Sequence, residues 1–311
     1  MSPELAIPAA MRSYRFAAMG SEAHVLLPSD RGDAITPVRE LFADWEARLS
    51  RFLPDSELSR LNARAGQPVV VGRVLFDAIW ASVAAARVTD GIFDPTLLPQ
   101  LRRIGYAESF DRTREAVPAV DAEPSPGGDW RKIVLDRRSR TVELPAGCAV
   151  DLGGIAKGMA ADAALDLVRA RGVGAALVSA GGDLCVLGLP PDAGAWHVLV
   201  GDDFTGDVVP LVRGALATSG STRRAWLQGG VRRHHLLDPR TGEPAASGLR
   251  EVTVAASTAQ AAEVAATVAF ALGPRLGAEL LSARRLAGRL THEDGTISTV
   301  GPWPTRVPTA A

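Results

Sequence analysis

Apolar positions along this chain recur at two periods, and the switches between them mark its elements. Tyr14–Leu27 reads as two extended runs broken by Met19-Gly20-Ser21, where a glycine lets the backbone bend. Ile35, Val38, Leu41, Phe42, Trp45 and Leu49 then recur at helical spacing, which predicts an amphipathic helix. A short helix is expected to start near Ser56, with Asp55 and Ser56 as capping candidates, and another to run from Val74 to about Thr89. KIVLD and TVELP read as a hairpin around Arg137–Arg140, Gly154–Arg171 as a helix, and Ala175–Ser179 as a buried strand ending at Gly181-Gly182. Further strands are expected at Trp196–Val200, Val231–Leu237 and Glu251–Val254, and a helix at Thr258–Leu272, stopped by Gly273-Pro274. Strands and helices mix without strict βαβ alternation, so the pattern favours an α+β fold.

The turn-rich segment Val117–Trp130 is the best candidate for a lobe boundary within one domain spanning residues 14–300. Residues 1–13 and 301–311 are expected to be tails, the first of them disordered. At 311 residues the chain can bury a sizeable core, as one large domain or two closely packed lobes.

A formal charge of −1 gives no general field to attract nucleic acid or an anionic membrane. The densest basic cluster, Arg223, Arg224, Arg232 and Arg233, has little aromatic surface beside it and reads as a solvated face rather than a nucleic-acid site. Cys148 and Cys185 lack metal-ligand spacing and read as buried, inert thiols. The N-terminal residues show no secretory or lipid-accepting signal, and no run reads as a bilayer span, since the Ala-rich stretch after Val254 carries Gln260 and Glu263. A cytoplasmic protein without membrane insertion is the expectation.

Five segments could carry chemistry. In VDLGGIAKG a strand delivers Asp151, two glycines leave room for close approach, and a helix begins with free N–H groups that suit a phosphate; Lys157 adds a charge one turn in. A glycine-assisted strand–helix turn capped by Asp151 explains the same residues, and the spacing is neither a P-loop nor GxGxxG. DGIFDPTLLP offers either a capped loop at Asp94-Pro95-Thr96 or a cradle for a polar ring edge. SAGGDLCVLG suggests a backbone passing close to something, or a tight turn between strands. DPRTG, Asp238–Gly242, is a turn on local grounds, with His235 just before it. Glu263 and Thr267 stand four apart on one helical face, an oxygen pair that suits Mg²⁺ or simply a partly exposed Glu above a Thr. The histidines show no HExxH or HxH pattern, so a zinc site is not expected.

Taken in order, the stretches FAAMGS, SRFLPDSELSRLN, DGIFDPTLLP, VDLGGIAKGMAADAA, ALVSAGGD, ATSG, HLLDPRTGEP and AEVAATVAFALG resemble the ApbE family of FAD:protein FMN transferases, from Phe16 to about Gly273. The resemblance implies an α+β fold of two packed lobes, with mixed or antiparallel sheet flanked by helices and FAD held between the lobes. It also implies Mg²⁺-dependent transfer of FMN from FAD to a Thr or Ser hydroxyl of a target protein, releasing AMP. By the same resemblance Met19 lines the flavin–adenine pocket and Phe52 packs on the isoalloxazine. Ile92, Phe93 and Asp94 border the flavin, Asp151 and Lys157 contact FAD, and Leu237 lies near it. Metal ligands are implied at the Gly154 carbonyl, the Glu263 carboxylate and the Thr267 hydroxyl. The family usually has Asp at Glu263, Thr at Ser21, Tyr or Trp at Phe52, and an acidic–aromatic pair where Ser221-Thr222 stands.

An attacking hydroxyl needs a proton acceptor, and His235 is the candidate, with Asp151 its competitor. The same residues would serve a Mg²⁺-dependent FAD pyrophosphatase, in which water takes the place of the target hydroxyl, or a non-catalytic flavin-binding protein.

Overall fold

A computed structural model describes residues 8–109, 116–118, 123–201 and 206–304. Strands Met11–Ala18 and Ser21–Pro28 pair antiparallel, with Ala18 opposite Ser21. Met19 and Gly20 between them have φ of 52° and 64°, the two-residue turn whose twist matches a hairpin. The first strand starts at Met11, so residues 11–13 are paired sheet rather than tail; residues 1–7 lie outside the described set. At the other end Trp303 is buried and its Nε1 donates to Asp207 Oδ2 at 3.1 Å, so the chain is still anchored past residue 300. Residues 305–311 are again outside the described set.

That hairpin is the edge of an eight-stranded sheet, which continues through Ala176–Ala180, Asp183–Leu187, Gly214–Gly220, Leu249–Ala256, Ala287–His292 and Ile297–Val300. Every pairing in it is antiparallel. The strand at 21–28 therefore neighbours the one at 176–180, and everything from Asp30 to Ala175 is inserted between two adjacent strands. Alternation of side chains across the pleat divides the core. Val25, Leu27, Ala176 and Val178 face helices α1 (Ile35–Leu49) and α5 (Ala156–Ala170). Leu26, Leu177, Leu184 and Leu216 face the other way, under a hairpin of Trp196–Val200 and Asp207–Leu211.

The inserted segment carries α2 (Glu57–Asn62), α3 (Arg73–Val88), α4 (Leu98–Arg103) and a small sheet of Pro68–Val70, Thr141–Glu143 and Val134–Asp136. Ser56 caps α2 as expected, its side chain accepting from the Ser59 N–H. Leu58, Leu61, Phe76, Ile79 and Val142 form a second apolar cluster here, which runs on into Ile155, Val264 and Val268. Helix α6 (Ala259–Ala283) thus packs on both this cluster and the large sheet. In the turn-rich stretch 117–130, residues 119–122 lie outside the described set, and Gly127 N donates to Pro239 O at 2.7 Å.

Three further expectations change. The helix from Thr258 does break at Gly273 (φ 79°), but Pro274 opens a second segment reaching Ala283. By length and composition α6 passes for a membrane span, contrary to the sequence reading; here it lies largely buried between the two clusters. The strand expected over Val231–Leu237 is interrupted at His235 and Leu236. The chain leaves its partner at Ala225–Gln228 there and takes up Glu243-Pro244 instead.

Candidate active site

One cleft gathers residues from six separate parts of the chain. Met19 comes from the hairpin turn and Phe52 from the loop after α1, while Ile92, Phe93 and Asp94 come from the loop after α3. Asp151, Gly154 and Lys157 enter from the α5 N-terminus, His235 and Leu237 from the interrupted strand, and Glu263 and Thr267 from α6. Every candidate named from the sequence lines this one cleft.

Its charged wall is made where α5 and α6 meet. Gly158 permits the approach, because a Cβ there would lie 2.6 Å from the Ala259 carbonyl carbon. The two helices then cap each other. Asp162 on α5 accepts from Ala259 N at 2.8 Å and Gln260 N at 3.0 Å, and Glu263 on α6 accepts from Gly158 N at 2.9 Å. The helix end that the sequence offers to a phosphate therefore already holds a carboxylate, with the dipole favouring its charge. Glu263 is 3% exposed, which removes the partly exposed alternative. Its Oε1 pairs with Lys157 Nζ, which also donates to Asp183 Oδ2 at 2.7 Å.

Lys157 and Lys132 are the chain's lysines, all other fixed cations being arginine. A compact ammonium fits between two carboxylates where a planar guanidinium would not. Gly181 leaves room for its stem, since a Cβ there would stand 3.3 Å from Lys157 Cδ. Burial works against the ammonium, but Asp183 and Glu263 outweigh it and hold the Lys157 pKa above its ordinary value. Burial pushes the Glu263 pKa up against the pull of Lys157, and the neighbouring Asp183 adds to the push. Two carboxyls share one cation here. Below them Thr267 Oγ1 and Ser219 Oγ share a hydrogen bond of 3.0 Å.

The loops that carry Asp151 and Asp94 are held by side chains. Asn62 clamps the strand-like residue Val150, donating to its carbonyl at 2.9 Å and accepting from its N–H at 2.8 Å. Asp151 Oδ1 accepts from Gly153 N at 2.7 Å, and Oδ2 pairs with Arg51. Asp94 accepts from Thr96 N, Thr96 Oγ1 and Gly128 N, so the capped-loop reading of DGIFDP is realised within the cleft wall. Burial raises its pKa against those bonds.

Another part of the lining is aromatic. Arg51 Cζ lies 4.1 Å from the Phe52 ring centroid and 4.5 Å from that of Tyr106, and Tyr106 packs in turn on Trp226. His235 meets the edge of Tyr106. Burial first, then Arg224 and His234, lowers the His235 pKa well below 6.5, so its ring is neutral at pH 7; its Nδ1 is buried without a partner. This wall is tied to α4 by Trp226 Nε1 donating to Ile104 O at 2.7 Å and by Glu243, which pairs with both Arg103 and Arg233. Of the basic cluster, Arg223 and Arg224 line the cleft.

The sequence matches the ApbE family over residues 19–290. The chain belongs to the ApbE family. It is 36% identical over 272 residues to an FAD:protein FMN transferase of Treponema pallidum (strain Nichols), covering 80% of this chain and 74% of that one. It is 31% identical over 282 residues to one of Klebsiella pneumoniae (strain 342), covering 88% and 86%. Among solved structures, the ApbE protein of Thermotoga maritima superposes with a TM-score of 0.83 at 28% identity, covering 93% of this chain and 97% of that one.

Within this ApbE-family cleft, sequence reasoning passed over Arg51, Asn62, Tyr106, Asp162, Asp183 and Ser219. Asp183 carried a signal as the acid in SAGGD. Asn62 ends SELSRLN, but its partner lies far along the chain. Among the described residues no group of three or more His, Cys, Asp or Glu side chains could hold a metal. Glu263 and Thr267 nevertheless offer oxygen donors only, with Asp183 a second carboxylate on the same lysine. That set fits a hard divalent ion that takes its other ligands from substrate and water.

Proposed function

We propose that this ApbE-family chain cleaves the pyrophosphate of FAD and attaches FMN, through a phosphoester, to a Thr or Ser hydroxyl of a target protein, releasing AMP. The observation that carries the reading is that two clusters of different character line one cleft. One joins Lys157, Asp183 and Glu263, and the other holds a neutral His235 whose Nδ1 has no partner. The activity named for its relatives supports it.

Mg²⁺, held through Glu263 and Thr267 with Gly154 in the same cleft, would supply charge stabilisation at the phosphoryl oxygens. Lys157 keeps both carboxyls in place and lends a positive charge to that wall. A neutral His235 accepts the proton of the attacking hydroxyl as the oxygen–phosphorus bond forms and the bond to AMP breaks. His235 is favoured over Asp151, whose two oxygens are already engaged by Gly153 N–H and Arg51. The apolar side chains Ile92, Phe93 and Leu237 offer the flavin a dry surface, with Met19 at the turn beside them.

Incubation with FAD, Mg²⁺ and a candidate acceptor protein, followed by intact-mass analysis, tests the proposal. An FMN mass added to the acceptor, matched by AMP, is expected. FMN and AMP released without an adduct would make the chain a pyrophosphatase, and binding without AMP release would make it a flavin-binding protein.

A further inference from the structure

Arg51 enters the mechanism above only as the partner of Asp151, yet its side chain is only 4% exposed and lines the cleft. Its guanidinium covers a face of Phe52 and leans on Tyr106, Nη1 donates to the Tyr106 carbonyl at 2.9 Å, and Nε contacts Asp151. Nη2 is buried with no hydrogen-bond partner. A buried cationic donor left unpaired is costly, and such a group is found where a ligand completes it.

Its surroundings narrow the ligand. Leu97, Leu101 and Leu237 pack with Tyr106 and Trp226 beside it, which suits a flat ring and not a hydrated phosphate. The ring must also present an acceptor along its edge. Resting on the flavin reading of the cleft, we propose that Arg51 is the residue that selects the isoalloxazine: Nη2 donates to a carbonyl oxygen on its pyrimidine edge. The ring then meets the guanidinium edge-on, in the plane of its N–H groups, and Phe52 and Tyr106 hold that plane in position. A cation at this edge also stabilises reduced flavin, in which negative charge gathers along the same atoms.

Binding of FAD, riboflavin and ADP to the unaltered chain, Arg51→Met and Arg51→Lys tests this. Arg51→Met is expected to bind FAD and riboflavin about tenfold more weakly. Its ADP affinity stays unchanged, which shows in the same sample that the cleft is intact. Its affinity for reduced FAD falls by about a further tenfold, read as a midpoint potential about 30 mV lower. Arg51→Lys keeps the potential and recovers part of the affinity. Equal or tighter FAD binding by Arg51→Met would mean that Arg51 merely covers Phe52, and an equal loss for ADP would give it to the phosphates. Either overturns the assignment while leaving the flavin reading standing. Failure of the unaltered chain to bind either flavin would overturn that reading, and this assignment with it.

Discussion

In one part of the cleft Lys157, Asp183, Glu263 and the Gly158 N–H answer one another; in another, Arg51 Nη2 and His235 Nδ1 are buried without a hydrogen bond. The first arrangement comes from two long helices meeting end to end, with Asp162 and Glu263 each capping the other's helix. The second comes from loops and short strands fastened to α4 by Trp226 and Glu243. Groups that satisfy each other fix geometry before any ligand arrives, whereas unanswered groups are reserved for what binds.

The sharpest way to break the contrast is to remove the charge at its centre. Glu263→Gln is expected to lower FMN transfer by about 10²–10³-fold, because an electrostatic contact at the phosphoryl site is lost. FAD binding should fall far less. A comparable loss in both, measured by single-turnover AMP release and flavin fluorescence titration, would make Glu263 a binding residue only.

A smaller effect separates helix capping from chemistry. Asp162→Ala leaves two N–H groups of the first turn of α6 without their acceptor and should cost about 1–2 kcal/mol, read from the urea midpoint. Unchanged stability would show that the helix ends do not depend on each other.

A pH-dependent effect concerns the histidines. Burial lowers the pKa of His234 to about 4 and that of His235 well below 6.5. The unfolded chain therefore binds protons below about pH 6.5 that the folded chain refuses, and stability falls as pH drops through that window. For His234 the loss ends near pH 4, where the folded form is protonated too. His234→Phe should flatten this slope between pH 6.5 and 4 in a series of denaturation curves; an unaltered slope would place the effect elsewhere.

How much was legible follows the same division. The hairpin at Met19-Gly20, helices α1, α3 and α5, and the Ser56 cap follow from spacing and local turn chemistry, so the sequence places them closely. The strands Gly214–Gly220 and Ala287–His292 were not foreseen; both sit inside the sheet, where burial on two faces erases alternation. The site candidates gather because family motifs name them. Arg51, Asn62 and Asp162 do not stand out, since their meaning lies in partners such as Tyr106, Val150 and Ala259, set by the fold and not by spacing. The second segment of α6 was missed because Gly273-Pro274 ends one helix and, with proline at its first position, also begins the next.

His235→Asn, compared with the unaltered chain for FAD dissociation constant and single-turnover transfer in the same preparation, tests most directly whether the unanswered wall does the proton chemistry. Transfer slowed by about 10²–10⁴-fold with FAD affinity changed by less than about threefold is expected. Unchanged single-turnover transfer would contradict the account and return the proton to Asp151.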